Sequence, residues 1–325
     1  MTNDKKLRRD IEIYELRHKK FQELHDHLNR RITDARSGYS SRIEWIVGPS
    51  RVGKTMLIQA LSRAHPEEKI SGRRHVPVLV VTIPPNITPK LLPTSVLTAL
   101  GVPVPQRANT SGVIYARMLE QLRLAGTKVL IFEEASHLVE PSARLPPRAA
   151  GDWFKAVSDA LDLLIILFGV PRLEQLFESN EQFAFRASKR LEFRPYDIRK
   201  VDDQAAFASC VGSYVETFNK NGWQFALPME ALIGHCYMLS GGLIGLLSRF
   251  MQELAFQMSG STVGRIEIHD CAAAANAIKN VSRRDFQLFG GTSVTMPELY
   301  AAHVDVLEAN GMDTHSIPNS HGGGQ

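Results

Sequence analysis

The sequence predicts an α/β chain in which a parallel five-stranded sheet, covered by helices on both faces, is followed by a smaller all-helical unit. Three observations predict it. Short apolar runs alternate with helical segments as far as residue 195, the pattern of a parallel sheet with crossover helices. One run, Leu163-Leu164-Ile165-Ile166-Leu167-Phe168, has the unbroken apolar character of a strand buried on both faces. Beyond Pro195-Tyr196 the strand-like runs stop, and residues from about 202 to 287 read as helices only.

In chain order, a first helix is expected from about residue 11 to 33. Ile43, Trp45, Ile46 and Val47 read as the first strand, and Met56-Leu57-Ile58-Gln59-Ala60-Leu61 as a helix that Pro66 stops. Val76-Pro77-Val78-Leu79-Val80-Val81-Thr82-Ile83 is the second strand. It ends in Pro84-Pro85-Asn86-Ile87-Thr88-Pro89, which cannot be regular helix. Helices follow over about 94–100 and over 111–124, the latter with Thr110 as N-cap and Gly126 as its stop. Lys128-Val129-Leu130-Ile131-Phe132 is the third strand, residues 163–168 the fourth, and a short fifth lies near 190–194. Trp153 and Phe154 have the spacing of core aromatics. In the C-terminal part, Asp202 and Asp203 open a helix that Asn221-Gly222 ends, and Pro228 opens the next. The expected boundaries are a basic helical segment at 1–42, an α/β domain at 43–197, a helical domain at 198–290 and a flexible tail at 291–325.

The chain has 325 residues, 44% hydrophobic and 22% charged, the makeup of an ordinary globular protein. Its N-terminus has no apolar stretch of the secretory type, and no run spans a bilayer, so a cytoplasmic protein without a membrane partner is expected. The three cysteines, Cys210, Cys236 and Cys271, are far apart and read as reduced core thiols. His25-Asp26-His27 has an i, i+2 spacing that sends the two rings to different sides of a helix, which argues against a metal site there. The net charge of +4 is confined to one place: residues 1–42 hold eleven Lys/Arg against seven Asp/Glu, and the remainder is balanced. Lys5-Lys6-Leu7-Arg8-Arg9 and Arg30-Arg31 suit a polyanion, and equally a solvated amphipathic helix.

The chemistry concentrates at Gly48-Pro49-Ser50-Arg51-Val52-Gly53-Lys54-Thr55, a complete G-x-x-x-x-G-K-[ST] between a strand and a helix. In that setting successive backbone N–H groups turn toward one centre and the helix N-terminus adds its dipole, a cradle for phosphate that runs on to Met56. Lys54 would reach the β- and γ-phosphates of ATP, and the Thr55 hydroxyl would ligate Mg²⁺. The third strand delivers Glu133-Glu134 directly after its apolar run, at the edge where open α/β sheets place ligands. Glu133 suits the Mg²⁺ shell, and Glu134 suits a base that orients the attacking water.

Several stretches together resemble the AAA+ ATPases and, more narrowly, the TniB/TnsC group of transposition regulators, over roughly residues 10–260. They are Arg17-His18 with Phe21, the segment from Val47 to Thr55, and Pro89 followed by Leu100-Gly101-Val102-Pro103. Phe132-Glu133-Glu134-Ala135-Ser136-His137-Leu138 comes next, then Phe168-Gly169-Val170-Pro171. The last are Asn180-Glu181-Gln182-Phe183 running to Arg190, and Ser240-Gly241-Gly242-Leu243-Ile244-Gly245. The resemblance implies an ATPase that assembles on double-stranded DNA as a homo-oligomer, a ring or helical filament, with each active site between protomers. An arginine of the neighbour then meets the γ-phosphate, and Arg186 and Arg190 occupy that region. It implies as companions a DDE transposase of the TniA/TnsB kind and a TniQ-like target selector. For DNA contact it offers Lys90, Arg107 and Lys128, with Arg144 and Arg148 in the loop after Glu134; each also reads as ordinary surface charge.

The chain departs from the group's pattern at three points. Glu133 stands where Asp is usual, Gly169-Val170 offers no side-chain donor at a usually polar sensor position, and the lid helix lacks the second-sensor arginine, with Arg249 two turns on. These departures weigh on turnover more than on binding. Two other readings stay open: an AAA+ ATPase of another process, such as secretion or replication loading, and a nucleotide-dependent interaction module that does not hydrolyse.

Overall fold

Two helices open the chain, α1 (Asn3–Glu12) and α2 (Lys19–Arg36), where the sequence predicts a single one. The structure, a computed structural model, describes residues 3–39, 43–104, 110–259, 263–278, 286–291 and 293–314. It comprises two compact units, Arg17–Arg194 and Met1–Leu16 together with Pro195–Gln325. The break between α1 and α2 follows from a change of apolar partner. Leu7, Ile11 and Leu16 are buried in the core of the helical unit, whereas α2 buries Phe21, Leu28 and Ile32 against α3 (Lys54–Ala64) and the sheet. A single helix would have to continue through His18, whose backbone is extended. The expected N-terminal segment of 1–42 is therefore shared between the two units.

The sheet consists of β1 (Ile43–Val47), β4 (Val78–Thr82), β5 (Val129–Glu133), β6 (Leu164–Gly169) and β7 (Leu191–Glu192) in the order β4-β5-β6-β1-β7, every pairing parallel. β1 and β6 are buried along their whole length, as central strands covered on both faces must be. Parallel strands put all their C-terminal ends on one edge, and that edge gathers Val47, Thr82, Glu133, Gly169 and Glu192. The crossovers are α3, α4 (Leu91–Ala99) with α5 (Ser111–Leu124), α6 (Pro147–Leu161), and α7 (Glu174–Glu178) with α8 (Glu181–Ala184). The Thr110 hydroxyl caps α5 by accepting from the Val113 amide at 3.4 Å. Phe154 is fully buried and packs edge-on against Phe132, while Trp153 is partly buried beside it. The sequence reading did not name α6, α7 and α8, nor a hairpin. An exposed hairpin, β2 (Glu68–Ile70) and β3 (Arg73–His75), turns through Ser71 and Gly72, both left-handed. Its strands are three residues each and carry almost no apolar signal.

The helical unit contains α9 (Val201–Lys220), α10 (Met229–Ser240), α11 (Ile244–Gln257), α12 (Ile268–Ala277) and α13 (Met296–Ala309). Two expectations are corrected. The unit is not purely helical, because β8 (Gln224–Phe225) pairs in parallel with β9 (Arg265–Ile266). Nor is the C-terminal segment a simple tail. α13 starts with a reciprocal capping box of Thr295 and Glu298 and buries Leu299, Ala302, His303, Val306 and Leu307. Residues 315–325, where Pro318 and the terminal glycines lie, fall outside the described residues. Cys210, Cys236 and Cys271 are free and buried in this unit, and burial pushes each thiol well above its ordinary range. Among the described residues no single helix is long and apolar enough to cross a membrane.

Candidate nucleotide-binding site

β1 delivers the chain to the site edge of the sheet, and the loop from Gly48 to Gly53 turns it into α3. The turn requires its glycines. A Cβ on Gly48 would lie 2.5 Å from the Phe193 carbonyl oxygen, and Gly53 has φ 116. Arg51 has a left-handed backbone without being glycine. The loop is held from beneath: the Gly48 amide donates to Gly169 O at 3.0 Å, and the Phe193 amide donates to Val47 O at 2.8 Å. Val52 is buried, whereas Ser50 and Arg51 are exposed. His18, 5.8 Å from the Phe193 ring between centroids, is so buried that its pKa drops to about 4, which keeps it neutral.

α3 has no side-chain cap at Gly53, so its first amides are open to a ligand at the positive end of the helix. Lys54 Nζ donates to Gly48 O and Pro49 O, each at 2.8 Å, and so lies folded over its own loop. Burial pushes the Lys54 pKa down to about 8, an effect that Glu134 and Glu133 partly offset. The Thr55 hydroxyl donates to Glu133 Oε1, which brings a hydroxyl and a carboxylate from two elements to one point. Hard oxygen donors in that arrangement suit Mg²⁺, which keeps several waters and needs few protein ligands. The open amides, the Lys54 ammonium and this oxygen pair therefore fit a magnesium–triphosphate group. Met56 is half-buried in the first turn of α3.

Glu133 ends β5 opposite Thr82, and Glu134 follows with φ 58 and ψ 34, its side chain exposed at the edge. That left-handed backbone turns the chain out of the strand and into a short 3₁₀ turn, Ala135–Val139. Two hydrogen bonds fix the acidic tip. Ser136 Oγ accepts from the Val170 amide at 2.7 Å, and His137 Nδ1 donates to Ile83 O at 2.7 Å. Gly169 must be glycine at this contact, because a Cβ there would come within 2.4 Å of Ser136 Oγ. The sensor position is thus closed by packing, and the Val170 amide is already engaged.

The arginines lie on the other side of β1. Arg186 is exposed and pairs with Asp159, while Arg190 is held by Glu174 at 2.6 Å and Glu192 at 2.9 Å. Lys90 sits at the start of α4, exposed, after the proline-rich segment at the site edge. The Arg144 amide donates to Ile87 O at 2.9 Å, which joins that segment to the loop carrying Arg144; Arg148 is not on that loop but in the first turn of α6, and both arginines are exposed. Lys128 precedes β5 and lies at the opposite edge of the sheet. Arg107 lies outside the described residues. In the helical unit Arg249 is exposed on α11.

Sequence reasoning missed Phe193, Ser136 and Glu44. A lone acid inside the apolar run Ile43-Glu44-Trp45-Ile46-Val47 was the available signal for Glu44, which is fully buried. Phe193 and Ser136 act through a backbone carbonyl and a backbone amide, and such contacts leave no trace in residue type.

A family model described as "Bacterial TniB protein" matches residues 12–194, more than half of the chain. The chain belongs to the TniB family. The matched span carries the whole site, from His18 through Arg190. Among curated proteins no sequence match was found. Solved structures similar to this TniB-family chain include Cdc6p from Pyrobaculum aerophilum, with 11% identity, a TM-score of 0.58, and 90% of this chain and 80% of that one covered. The Aeropyrum pernix Orc1 protein in complex with DNA has 17% identity and a TM-score of 0.53, with 78% of this chain and 63% of that one covered. The ADP form of the Aeropyrum pernix ORC2 protein has 13% identity and a TM-score of 0.55, with 81% and 69% covered. The chain therefore spans somewhat under two thirds of Orc1. At such identities the likeness is one of fold, and that fold is the AAA+ P-loop NTPase architecture.

Proposed function

We propose that this TniB-family chain is an ATP-dependent DNA-binding AAA+ ATPase that regulates transposition. ATP holds protomers together on target DNA, the assembly recruits a DDE transposase and works with a TniQ-like target selector, and hydrolysis dismantles it. The observation that carries the reading is the convergence of Lys54, Thr55, Glu133 and Glu134 at one sheet edge, with the Thr55 hydroxyl on the Glu133 carboxylate. A bound magnesium–ATP would supply a polarised γ-phosphate. Lys54 would leave the Gly48 and Pro49 carbonyls for the phosphate oxygens, Thr55 and Glu133 would hold the cation, and exposed Glu134 would orient a water and take its proton. Arg186 or Arg190 would act on the nucleotide of the next protomer and stabilise its developing charge. Lys90, Arg144 and Arg148 would meet DNA phosphates; such contacts position a backbone and give little base specificity.

Two measurements test this. Duplex DNA should shift on a gel only with ATP or a slowly hydrolysed analogue, and a shift indifferent to nucleotide sinks the reading. Glu134→Gln should cut phosphate release at least about a hundredfold while nucleotide binding stays intact. Equal, negligible rates for both proteins would establish the non-hydrolysing module, a reading that the glycine at 169 favours.

A further inference from the structure

Glu44 is the one acid of β1, and its side chain is fully shielded from solvent on the strand that carries the phosphate loop. Its partners come from two different elements. Arg31 of α2 donates from Nε to Glu44 Oε1 at 2.6 Å, and Ser188 donates from Oγ to Glu44 Oε2 at 2.5 Å. His27, also of α2, stands 3.7 Å from Oε2. Ser188 belongs to the stretch between α8 and β7 that carries Arg186 and Arg190. That stretch is stitched to β1 along its backbone as well: the Ile43 amide donates to Arg186 O at 3.2 Å, and the Ser188 amide donates to Ile43 O at 2.8 Å. The Trp45 indole donates to Ser188 O at 3.0 Å.

These contacts make the arginine-bearing stretch an extension of the sheet rather than a free loop. A carboxylate taken out of water is costly unless charged and hydrogen-bonded partners surround it, and such a group costs stability that a well-packed apolar residue would not. β1 could have carried valine here, and its other four residues are apolar. We propose that Glu44 is a positioning residue for the arginine that acts in trans: joined to Arg31 and Ser188, it fixes the 186–190 stretch against β1 so that the arginine is presented to the neighbouring protomer. The proposal rests on the reading that Arg186 or Arg190 works across a protomer boundary. It adds that α2, through Arg31, sets how that arginine is offered.

The test is steady-state phosphate release by full-length protein assembled on duplex DNA. Glu44→Gln keeps size and polarity and removes the charge, and its kcat should fall about tenfold with KM for ATP within about twofold, the pattern of a contact used only in the transition state. The nucleotide affinity of the unassembled protein should not change. The deciding arm is mixing. Glu134→Gln protomers hydrolyse nothing yet carry an intact Glu44, so in mixed assemblies they should lend a well-placed arginine to Glu44→Gln neighbours. Turnover should then exceed that of both variants assayed alone. Without such a gain, or with a loss confined to KM, Glu44 serves its own nucleotide site and the proposal fails. Ser188→Ala removes one arm of the bridge without leaving a charge unpaired; it should show a smaller fall and, counted per protomer with an intact Glu134, a smaller gain on mixing, and it decides the matter if Glu44→Gln does not fold. Arg186→Ala and Arg190→Ala, singly and combined, check the underlying reading separately. If they leave turnover at the wild-type rate, the trans arginine itself is wrong; if they abolish it while mixing gives no gain, only the role of Glu44 is wrong.

Discussion

At the scale of single residues the site is governed by Lys54. An ammonium that burial has brought to about 8 stays charged at neutral pH and loses its proton just above it. A triphosphate favours the charged form, so above that point binding must carry a proton in from solvent. Between pH 8 and 10 the affinity for ATP should therefore fall by up to about tenfold per unit. Calorimetry at pH 9 in buffers of different ionisation heat should record uptake of close to one proton, and Lys54→Met should bind weakly with no such uptake. The same group affects folding in the opposite sense. Its folded pKa lies below the unfolded value of 10.5, so the unfolded chain binds more protons between about 8 and 10.5, and the burial cost of Lys54 is relieved as pH rises through that window. Affinity and stability should thus move in opposite directions over the same range.

At the scale of elements, α1 contributes to the helical unit although it begins the chain. Leu7 is buried in that core, and α1 packs on α9 and α11. Leu7→Ala should cost about 2–4 kcal/mol by chemical denaturation, with faster amide exchange in α9 and α11 and unchanged exchange in β1 and β6. Unchanged exchange throughout would mean that α1 is only a surface attachment. What the sequence revealed follows the same physics. The central strands β5 and β6 were legible because burial on both faces leaves an unbroken apolar run, and the loop was legible because its glycines and Lys54 are fixed in spacing. The break at residues 13–18 was not, since both halves of the N-terminal segment are amphipathic and only the identity of the core each one faces separates them. α13 was hidden by its setting. A stretch near a chain end with flanking glycines reads as a tail, and the Thr295–Glu298 capping box was the overlooked signal. Lys90 and Lys128 were grouped because the resemblance points to the segment between the second strand and Glu133, whereas the sheet puts them at opposite edges.

At the scale of the whole molecule, the proposed role is an assembly whose grip on DNA is electrostatic. Alanine at Lys90, Arg144 or Arg148 should weaken binding evenly across sequences, and each phosphate contact removed should lower the slope of log affinity against log salt by about one. Lys128→Ala should leave that slope alone, because β5 separates it from the other three by about 16 Å of strand. A slope that responds to Lys128 and not to Lys90 would put the DNA on the other edge. The left-handed backbone of Glu134 carries a last consequence. A non-glycine residue in that conformation stores about 1 kcal/mol or more, which glycine would release. Selection for heat tolerance alone should therefore enrich glycine at position 134 and yield a hardier protein that, under the proposed role, no longer lets go of its DNA.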